Sequence, residues 1–152
     1  MKSAQIYLLV LILFALLFPL LSCADIASPL EDFNWVLTRY GDLNNTKTPL
    51  EGTEVTARFD SKTKTVHGNG GTNDFGGKYI VDHLTLKITD ITLTTLTGGA
   101  EKDAQEMEFI KELTGATSFI MDHGQLIIES GNARLYFKQT DKPLKTITKW
   151  GE

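Results

Sequence analysis

The sequence predicts a mainly β (α+β) domain: a compact antiparallel sheet or small barrel of about eight short strands, with one α-helix packed against it. Apolar and polar residues alternate with a period of two over most of the chain, which is typical of half-buried strands. Turn signals recur at intervals of about 8–12 residues, as in sandwiches and small barrels. Only one segment changes to a helical period. Without alternating strands and helices, a parallel nucleotide-binding sheet is not expected.

The first strand is predicted over residues 33–40, where Phe33, Trp35 and Leu37 fall on one side. That side is expected to face the core, with the large aromatic ring of Trp35 as an anchor. The other strands are predicted over residues 54–60, 63–67, 79–81, 84–88, 117–121, 125–129 and 134–138, with a further extended piece at 91–96.

The helix is predicted from a stripe of Ala104, Met107, Ile110 and Leu113, with Phe109 on its flank. Apolar residues three and four apart share one face of a helix. This spacing indicates that the stripe packs on the sheet and contributes to the core, and it does not favour a partner-binding groove.

The polar residues of the same segment predict where the helix begins and ends. Glu101 and Asp103 suit the positive end of the helix dipole, and Gly115 is well placed to stop the helix. Glu106 and Glu108 are expected on its exposed face, as solvated side chains and not as a catalytic pair.

Residues 1–22 are predicted to be a lipoprotein-type signal peptide. A charged residue, Lys2, precedes an apolar run over 6–21, which is shorter than the about 20 residues that span a bilayer. The run closes on Leu-Leu-Ser before Cys23, which resembles a lipobox with Cys23 as the lipid acceptor. An ordinary signal peptide and an uncleaved N-terminal anchor remain open, and all three export the rest of the chain.

Beyond the signal peptide, residues 23–32 are interpreted as a tether and residues 139–152 as a charged tail that contains Trp150. Trp150 is expected either to contact a partner or to fold back on the domain. The chain has one cysteine, so no disulfide framework or thiolate metal site is expected. A net charge of −4 opposes nucleic-acid binding.

The segment 66–79 carries a dense cluster of glycine and asparagine, the residues that best tolerate positive φ. It lacks the lysine of a P-loop and the spacing of a dinucleotide fingerprint, and a strand pattern follows it. It is therefore interpreted as a sharp, bulged connection between strands, anchored by Phe75 and Tyr79. Gly71, Asn73 and Gly77 are expected to matter first for folding.

No catalytic residue, metal site or cofactor is predicted. His67, His83 and His123 lack a ligand spacing such as H-x-x-x-H, and the last two fall in predicted turns. No serine lies in a G-x-S-x-G motif. A hydrolase would need a cleft that brings His67 or His123 beside a carboxylate and a nucleophile.

Several motifs, taken in order, resemble those of META domain proteins of the HslJ heat-shock type over residues 33–138. The domain opens with Trp35-Val36-Leu37, a threonine-containing segment follows at 94–98, and the helix and last two strands complete the order. The family's G-x-x-G-C-N-x-[FY]-x-G-x-Y segment is matched by Gly68, Gly71, Asn73, Phe75, Gly77 and Tyr79.

One departure from the family pattern concerns cysteines. The family often has cysteine where Thr72 stands, and a second one near the position of Gly98. If those cysteines pair in relatives, this chain has lost both, and a thiol role is excluded for it.

The resemblance implies a small exported or lipid-anchored protein linked to heat or envelope stress, and it supplies no catalytic residues. The expected function is a non-enzymatic, membrane-anchored domain of the cell envelope that supports stress tolerance by binding a protein or envelope component. The alternative is a carrier that holds a small apolar ligand inside a β-barrel.

Overall fold

A computed structural model describes residues 28–144, which form one closed, antiparallel barrel with a single helix. Each strand pairs with the next, and the last pairs with the first. The elements are β1 (Asn34–Asp42), β2 (Thr56–Asp60), β3 (Thr65–Asn69), β4 (Asp74–Asp82), β5 (Thr85–Leu93), α1 (Ala100–Thr114), β6 (Ser118–Asp122), β7 (Gln125–Ser130) and β8 (Ala133–Thr140). The mainly β prediction with one helix is confirmed, and the ring closes.

The glycine-rich segment differs from its prediction. Most of it is strand, because β3 extends to Asn69 and β4 begins at Asp74, which leaves only residues 70–73 as a turn. The predicted bulge is present within β4, where the register against β5 shifts between Gly76 and Lys78. The two extended pieces predicted at 84–88 and 91–96 are largely one strand, β5.

The ring is weakest between β5 and β6, which share a single register pair, Thr85 with Ser118. Two backbone bonds join this seam: the amide of Leu86 donates to Thr117 (3.1 Å), and the amide of Phe119 donates to Leu84 (2.9 Å). The helix lies between these strands in sequence, so the chain leaves the sheet after β5 and returns only where β6 begins.

The barrel interior is filled by large side chains that alternate along the strands. Phe109 of the helix packs edge-to-face against Phe75 (ring centroids 5.7 Å apart) and Phe137 (6.4 Å). The bulkiest fully buried side chains are Trp35, Phe59, Phe75, Phe109, Phe119, Phe137, Leu30, Leu86, Leu113, Leu126, Ile128 and Leu135. This packing argues against a carrier that holds a ligand inside the barrel.

The helix faces the core differently from its prediction. Phe109 and Leu113 are buried as expected, but Ala104 is exposed and Met107 is 74% exposed. Gln105 and Glu106 are buried in their place. The predicted stripe is wrong only at Ala104 and Met107, because the inward face there carries polar side chains that bond to loops, which hydrophobic periodicity does not detect.

The folded region begins before the predicted first strand. Leu30 is fully buried and accepts a hydrogen bond from Trp35 Nε1 (2.9 Å), although the sequence placed it in the tether. Glu31 is also buried and forms a bridge to Phe59 of β2. Phe33, predicted to face inward, is instead 41% exposed and contacts the edge of the Trp35 ring.

Candidate functional site: the glycine turn and its cleft

The turn between β3 and β4 is held by its own side chains and backbone. Asn69 Nδ2 donates to Asp74 Oδ1 (2.8 Å), while Asn69 Oδ1 accepts from the amide of Gly71 (2.8 Å). The amide of Gly70 donates to the carbonyl of Asn73 (2.7 Å). Gly71 has φ 114°, a conformation that disfavours residues with a Cβ. The turn therefore has a defined shape without any ligand.

Asn73 is buried and uses all its amide hydrogen-bonding capacity. Its Nδ2 donates to Leu96 O (2.9 Å) and to Glu106 Oε2 (2.6 Å). Its Oδ1 accepts from Thr94 Oγ1 (2.8 Å) and from the amide of Leu96 (2.7 Å). Asn73 thus ties the glycine turn to the segment after β5 and to α1.

Glu106 lies at the centre of this network, and its predicted exposure is wrong. The residue is buried, and its Oε1 accepts from the amides of Thr72 (3.2 Å) and Asn73 (2.5 Å). Glu108, its predicted neighbour on the exposed face, pairs with Lys47 (2.5 Å). A sequence signal for Glu106 exists, because residues 106, 109 and 113 also share one helical face.

Gln105 of the same helical turn binds the long loop between β1 and β2. Its Oε1 accepts from the amide of Leu50 (2.6 Å), and its Nε2 donates to Thr53 Oγ1 (3.1 Å). Neighbouring polar side chains of α1 therefore fix two loops at one end of the barrel. The helix therefore holds both loops in place through its polar side chains and also covers the core with its apolar ones.

Gly77 is placed where a side chain would not fit. A Cβ there would lie 2.6 Å from Ile91 Cδ1 and 2.9 Å from the carbonyl oxygen of Thr89. Phe75 and Tyr79, the two predicted anchors of this segment, are both buried. The motif residues of β4 thus shape and fill the barrel.

Tyr79 also belongs to a second polar cluster, centred on the buried carboxylate of Glu31. That carboxylate accepts hydrogen bonds from the Tyr79 hydroxyl, from Lys64 Nζ (2.7 Å) and from the amide of Ser28 (2.7 Å). Burial of Glu31 opposes its charge, but these three donors outweigh burial and lower its pKa. Burial and the bonded carboxylate raise the pKa of Tyr79.

We expect Tyr79→Phe to lower the free energy of unfolding by about 1–2 kcal/mol, because it removes one donor from a buried carboxylate. Urea unfolding at neutral pH measures this. Tyr40→Phe is the matched control, because Tyr40 is also buried but lies beside the Lys47 ammonium, 5.1 Å from its ring centroid. An equal loss in both variants would contradict a specific role for the Tyr79 hydroxyl.

The same cluster predicts a pH dependence. Because folding lowers the pKa of Glu31 below its ordinary value of 4.5, its contribution to stability is present above that value and is lost as pH falls through the folded-state pKa. Glu31→Gln should therefore destabilise the protein at pH near 7, and the difference should shrink below pH 4.5. Unfolding curves of both proteins across this range test it, and a constant difference would contradict it.

Thr72 and Gly98, the positions at which the resembled family often has cysteines, are neighbours. A Cβ on Gly98 would overlap Thr72 Oγ1 and lie 3.2 Å from Thr72 Cγ2. Within the described part of the chain, Thr72 Oγ1 is buried without a hydrogen-bond partner. Because a side chain at position 98 would contact the side chain at position 72, cysteines at these two positions are close enough to form a disulfide, in which the Cβ atoms lie about 3.8 Å apart.

We expect the double variant Thr72→Cys/Gly98→Cys to form this disulfide under oxidising conditions and to gain about 2–3 kcal/mol of stability. Thermal unfolding with and without reductant measures the gain. Each single-cysteine variant is a control and should gain nothing from oxidation. A double variant that stays fully reduced would show that the two positions do not approach closely enough.

A cleft of about 450 Å³ opens beside the glycine turn. Glu54 and Lys142 are its charged lining residues, and the other lining residues are Gly52, Thr56, Asn69, Gly71, Thr72, Pro143 and Leu144. The chain reaches the cleft after β8, where Lys142 O accepts a hydrogen bond from Asn34 Nδ2 (3.0 Å). Mostly polar walls and opposite charges suit a polar ligand or a polar protein segment.

The three histidines lie on separate elements. His83 and His123 occupy two exposed hairpin turns, where each Nδ1 bonds the preceding aspartate, Asp82 (2.8 Å) and Asp122 (2.5 Å). His67 lies on β3 opposite Arg58, and burial together with that positive charge lowers its pKa. Among residues 28–144, no three His, Cys, Asp or Glu side chains are grouped to hold a metal ion.

The predicted lipid acceptor Cys23 and the tail residue Trp150 lie outside the described residues. Within the described range, no helix has both the length and the apolar character needed to cross a membrane.

Comparisons with known proteins agree with this geometry. An NMR structure of a protein from Burkholderia xenovorans has a similar fold, with a TM-score of 0.64 and 20% sequence identity; the match covers 74% of this chain and 85% of that one. A crystal structure of a DUF4847 family protein from Bacteroides vulgatus is also similar, with a TM-score of 0.56 and 12% sequence identity; the match covers 76% of this chain and 97% of that one. No curated protein matches the sequence. The META domain family model matches residues 28–142, which include the buried Leu30 and Glu31 at the start of the fold. The chain belongs to the META domain family.

Proposed function

We propose that this protein is a non-enzymatic lipoprotein of the cell envelope that supports stress tolerance by binding a protein or an envelope component. The observation that carries the binding role is the cleft of about 450 Å³ beside the glycine turn. Its position brings the family motif next to an accessible, polar surface. The barrel interior, by contrast, is occupied by aromatic and aliphatic side chains.

The roles of the buried polar groups support a binding module over an enzyme. Asn73 and Glu106 bond each other and nearby backbone, and Glu31 and Tyr79 bond each other. Both pairs hold loops or the N-terminal segment against the barrel, and this structural role accounts for their burial. The charged groups at the cleft, Glu54 and Lys142, would provide recognition of a polar partner.

Anchoring is proposed from the N-terminal sequence. The apolar run over 6–21 ends on Leu-Leu-Ser before Cys23, the only cysteine of the chain. A single acyl chain gives only marginal binding, whereas two or more chains on one cysteine hold a protein firmly to a bilayer. We expect Cys23→Ala to move the protein from the membrane fraction to the soluble fraction. Retention in the membrane would favour an uncleaved N-terminal anchor.

The binding role is tested by reversing the charge in the cleft. Glu54 is exposed, so Glu54→Lys should leave the fold intact, and Glu101→Lys on the exposed start of α1 is the matched control. In a strain that depends on this protein for survival under envelope stress, we expect Glu54→Lys to lose protection and Glu101→Lys to keep it.

A photo-crosslinking amino acid at position 54 should capture the partner in intact cells, and one at the exposed Lys87 on β5 should not. Equal survival of both variants, without capture at position 54, would contradict binding at the cleft. Turnover of a substrate by the purified protein, lost on changing one polar residue, would overturn the non-enzymatic role.

A further inference from the structure

The N-terminal segment that leads to the barrel is firmly attached to it. Leu30 is fully buried, and the amide of Asp32 donates to the carbonyl of Phe59 (2.7 Å). The carboxylate of Glu31 is bonded by Tyr79, by Lys64 and by the amide of Ser28. The path of the chain is therefore fixed from Ser28 onward.

The topology assigns this segment to one end of the barrel. Because neighbouring strands are antiparallel, all odd-numbered strands begin at the end where β1 begins, which we call the tether end. The hairpin turns at 61–64, 83–84 and 123–124 lie there, and the chain leaves β8 there. The glycine turn, Glu106 and the loop between β1 and β2 lie at the opposite end.

Exposed apolar side chains are concentrated at the tether end. Seven large hydrophobic residues are exposed in the described part of the chain, and four lie within about three residues of this end. They are Phe33 (41% exposed), Ile80 (67%), Leu84 (59%) and Ile120 (39%).

Three of these side chains lie on one side of the rim, and the fourth lies on the other. Phe33 precedes β1, Ile80 and Leu84 belong to the β4–β5 hairpin on the other side of the ring, and Ile120 lies on β6. A helix or a strand of a partner that follows the side of β4–β6 would miss Phe33. A flat surface could contact the whole rim.

We propose that the tether end rests on the lipid bilayer, with Phe33, Ile80, Leu84 and Ile120 entering its interfacial region; this rests on the lipid anchor proposed above. Four residues, 24–27, separate Cys23 from Ser28. Fully extended, they place the two Cα atoms at most about 17 Å apart. A lipid on Cys23 therefore keeps this end at the bilayer surface, where exposed apolar side chains gain from burial.

This orientation has a consequence for the cleft. Its glycine-turn wall lies toward the opposite end of the barrel, where the turn, the helix and the loop between β1 and β2 meet. The anchored protein would therefore present that wall away from its own membrane, open to a partner.

The full-length lipidated protein, reconstituted in vesicles of equal parts phosphatidylethanolamine and phosphatidylglycerol, tests this orientation. A single added cysteine carries an environment-sensitive fluorophore at position 84 (Leu84→Cys) or, as the matched control, at position 43 (Leu43→Cys). Leu43 is 49% exposed and follows β1 at the opposite end. Acylation of Cys23 leaves the added thiol as the only one available for labelling.

We expect the label at position 84 to lose quenching by aqueous iodide and to be quenched by lipids with a quencher in the acyl chain. The label at position 43 should behave in the opposite way. Vesicle-bound protein with both labels open to iodide would overturn the orientation while leaving the anchor intact. A label at position 84 shielded from iodide but not reached by the lipid quencher would mean that a second copy covers this end, which also overturns it. Wild-type protein that does not fractionate with cell membranes would overturn the anchor itself.

Discussion

Gly68→Ala is expected to prevent stable folding, with a loss of about 4 kcal/mol or more. A Cβ at this position would overlap the carbonyl oxygen of Thr56 and lie 2.7 Å from its carbonyl carbon and 3.0 Å from Ala57 Cα. All three atoms are backbone atoms of β2, so no rotamer change relieves the overlap. The strand would have to move away from β3, and a closed ring has no free edge to accommodate such a shift.

Circular dichroism and urea unfolding of the purified variant measure this loss. Gly131→Ala in the turn between β7 and β8 is the matched control. Gly131 has φ 57°, and nothing lies within 4 Å of an added Cβ, so only backbone strain of about 1 kcal/mol is expected. A Gly68→Ala protein as stable as the Gly131→Ala protein would show that β2 and β3 are not in such close contact.

The second large effect is expected for Glu106→Ala, which should lower the free energy of unfolding by about 3–4 kcal/mol. The change leaves the amides of Thr72 and Asn73, and one N–H of the Asn73 Nδ2 group, without an acceptor in a buried site. It also leaves a cavity between α1 and the glycine turn. Glu101→Ala on the exposed first turn of the helix is the control and should cost less than about 1 kcal/mol.

A double-mutant cycle with Asn73→Ala separates the pair from its surroundings. Because Asn73 and Glu106 bond each other directly, we expect the double variant to lose less than the sum of the two single losses. Urea unfolding of the four proteins gives the coupling. Additive losses would mean that the two residues stabilise the fold independently, which would contradict a stabilising role for their direct hydrogen bond.

The helix shows which features can be predicted from the sequence and which cannot. Its limits were predictable, because Glu101, Asp103 and Gly115 mark its ends, and the observed helix runs from Ala100 to Thr114. Its orientation was not predictable from apolar periodicity. The buried face includes Glu106, whose burial becomes favourable only when the amides of the glycine turn meet it in space.

The segment predicted as a tether also contains buried residues that the sequence pattern did not reveal. Residues 28–32 carry no strand pattern, so the sequence placed them outside the domain. The structure buries Leu30 under Trp35 and surrounds the carboxylate of Glu31 with Lys64 and Tyr79. Those two partners are 33 and 48 residues away along the chain. Because charged residues are usually exposed, the burial of Glu31 cannot be predicted until its distant partners are known.

The number and type of the elements, most inward-facing strand residues and the family motif can be predicted from the amino-acid order, because alternation, turn residues and glycine positions are local properties of the chain. Three features are visible only in the folded molecule: the sheet closes into a ring, Glu31 and Glu106 are buried, and a cleft opens beside the glycine turn. These features depend on contacts between residues far apart in sequence. The burial of the two glutamates becomes favourable because polar groups from distant segments pair with them.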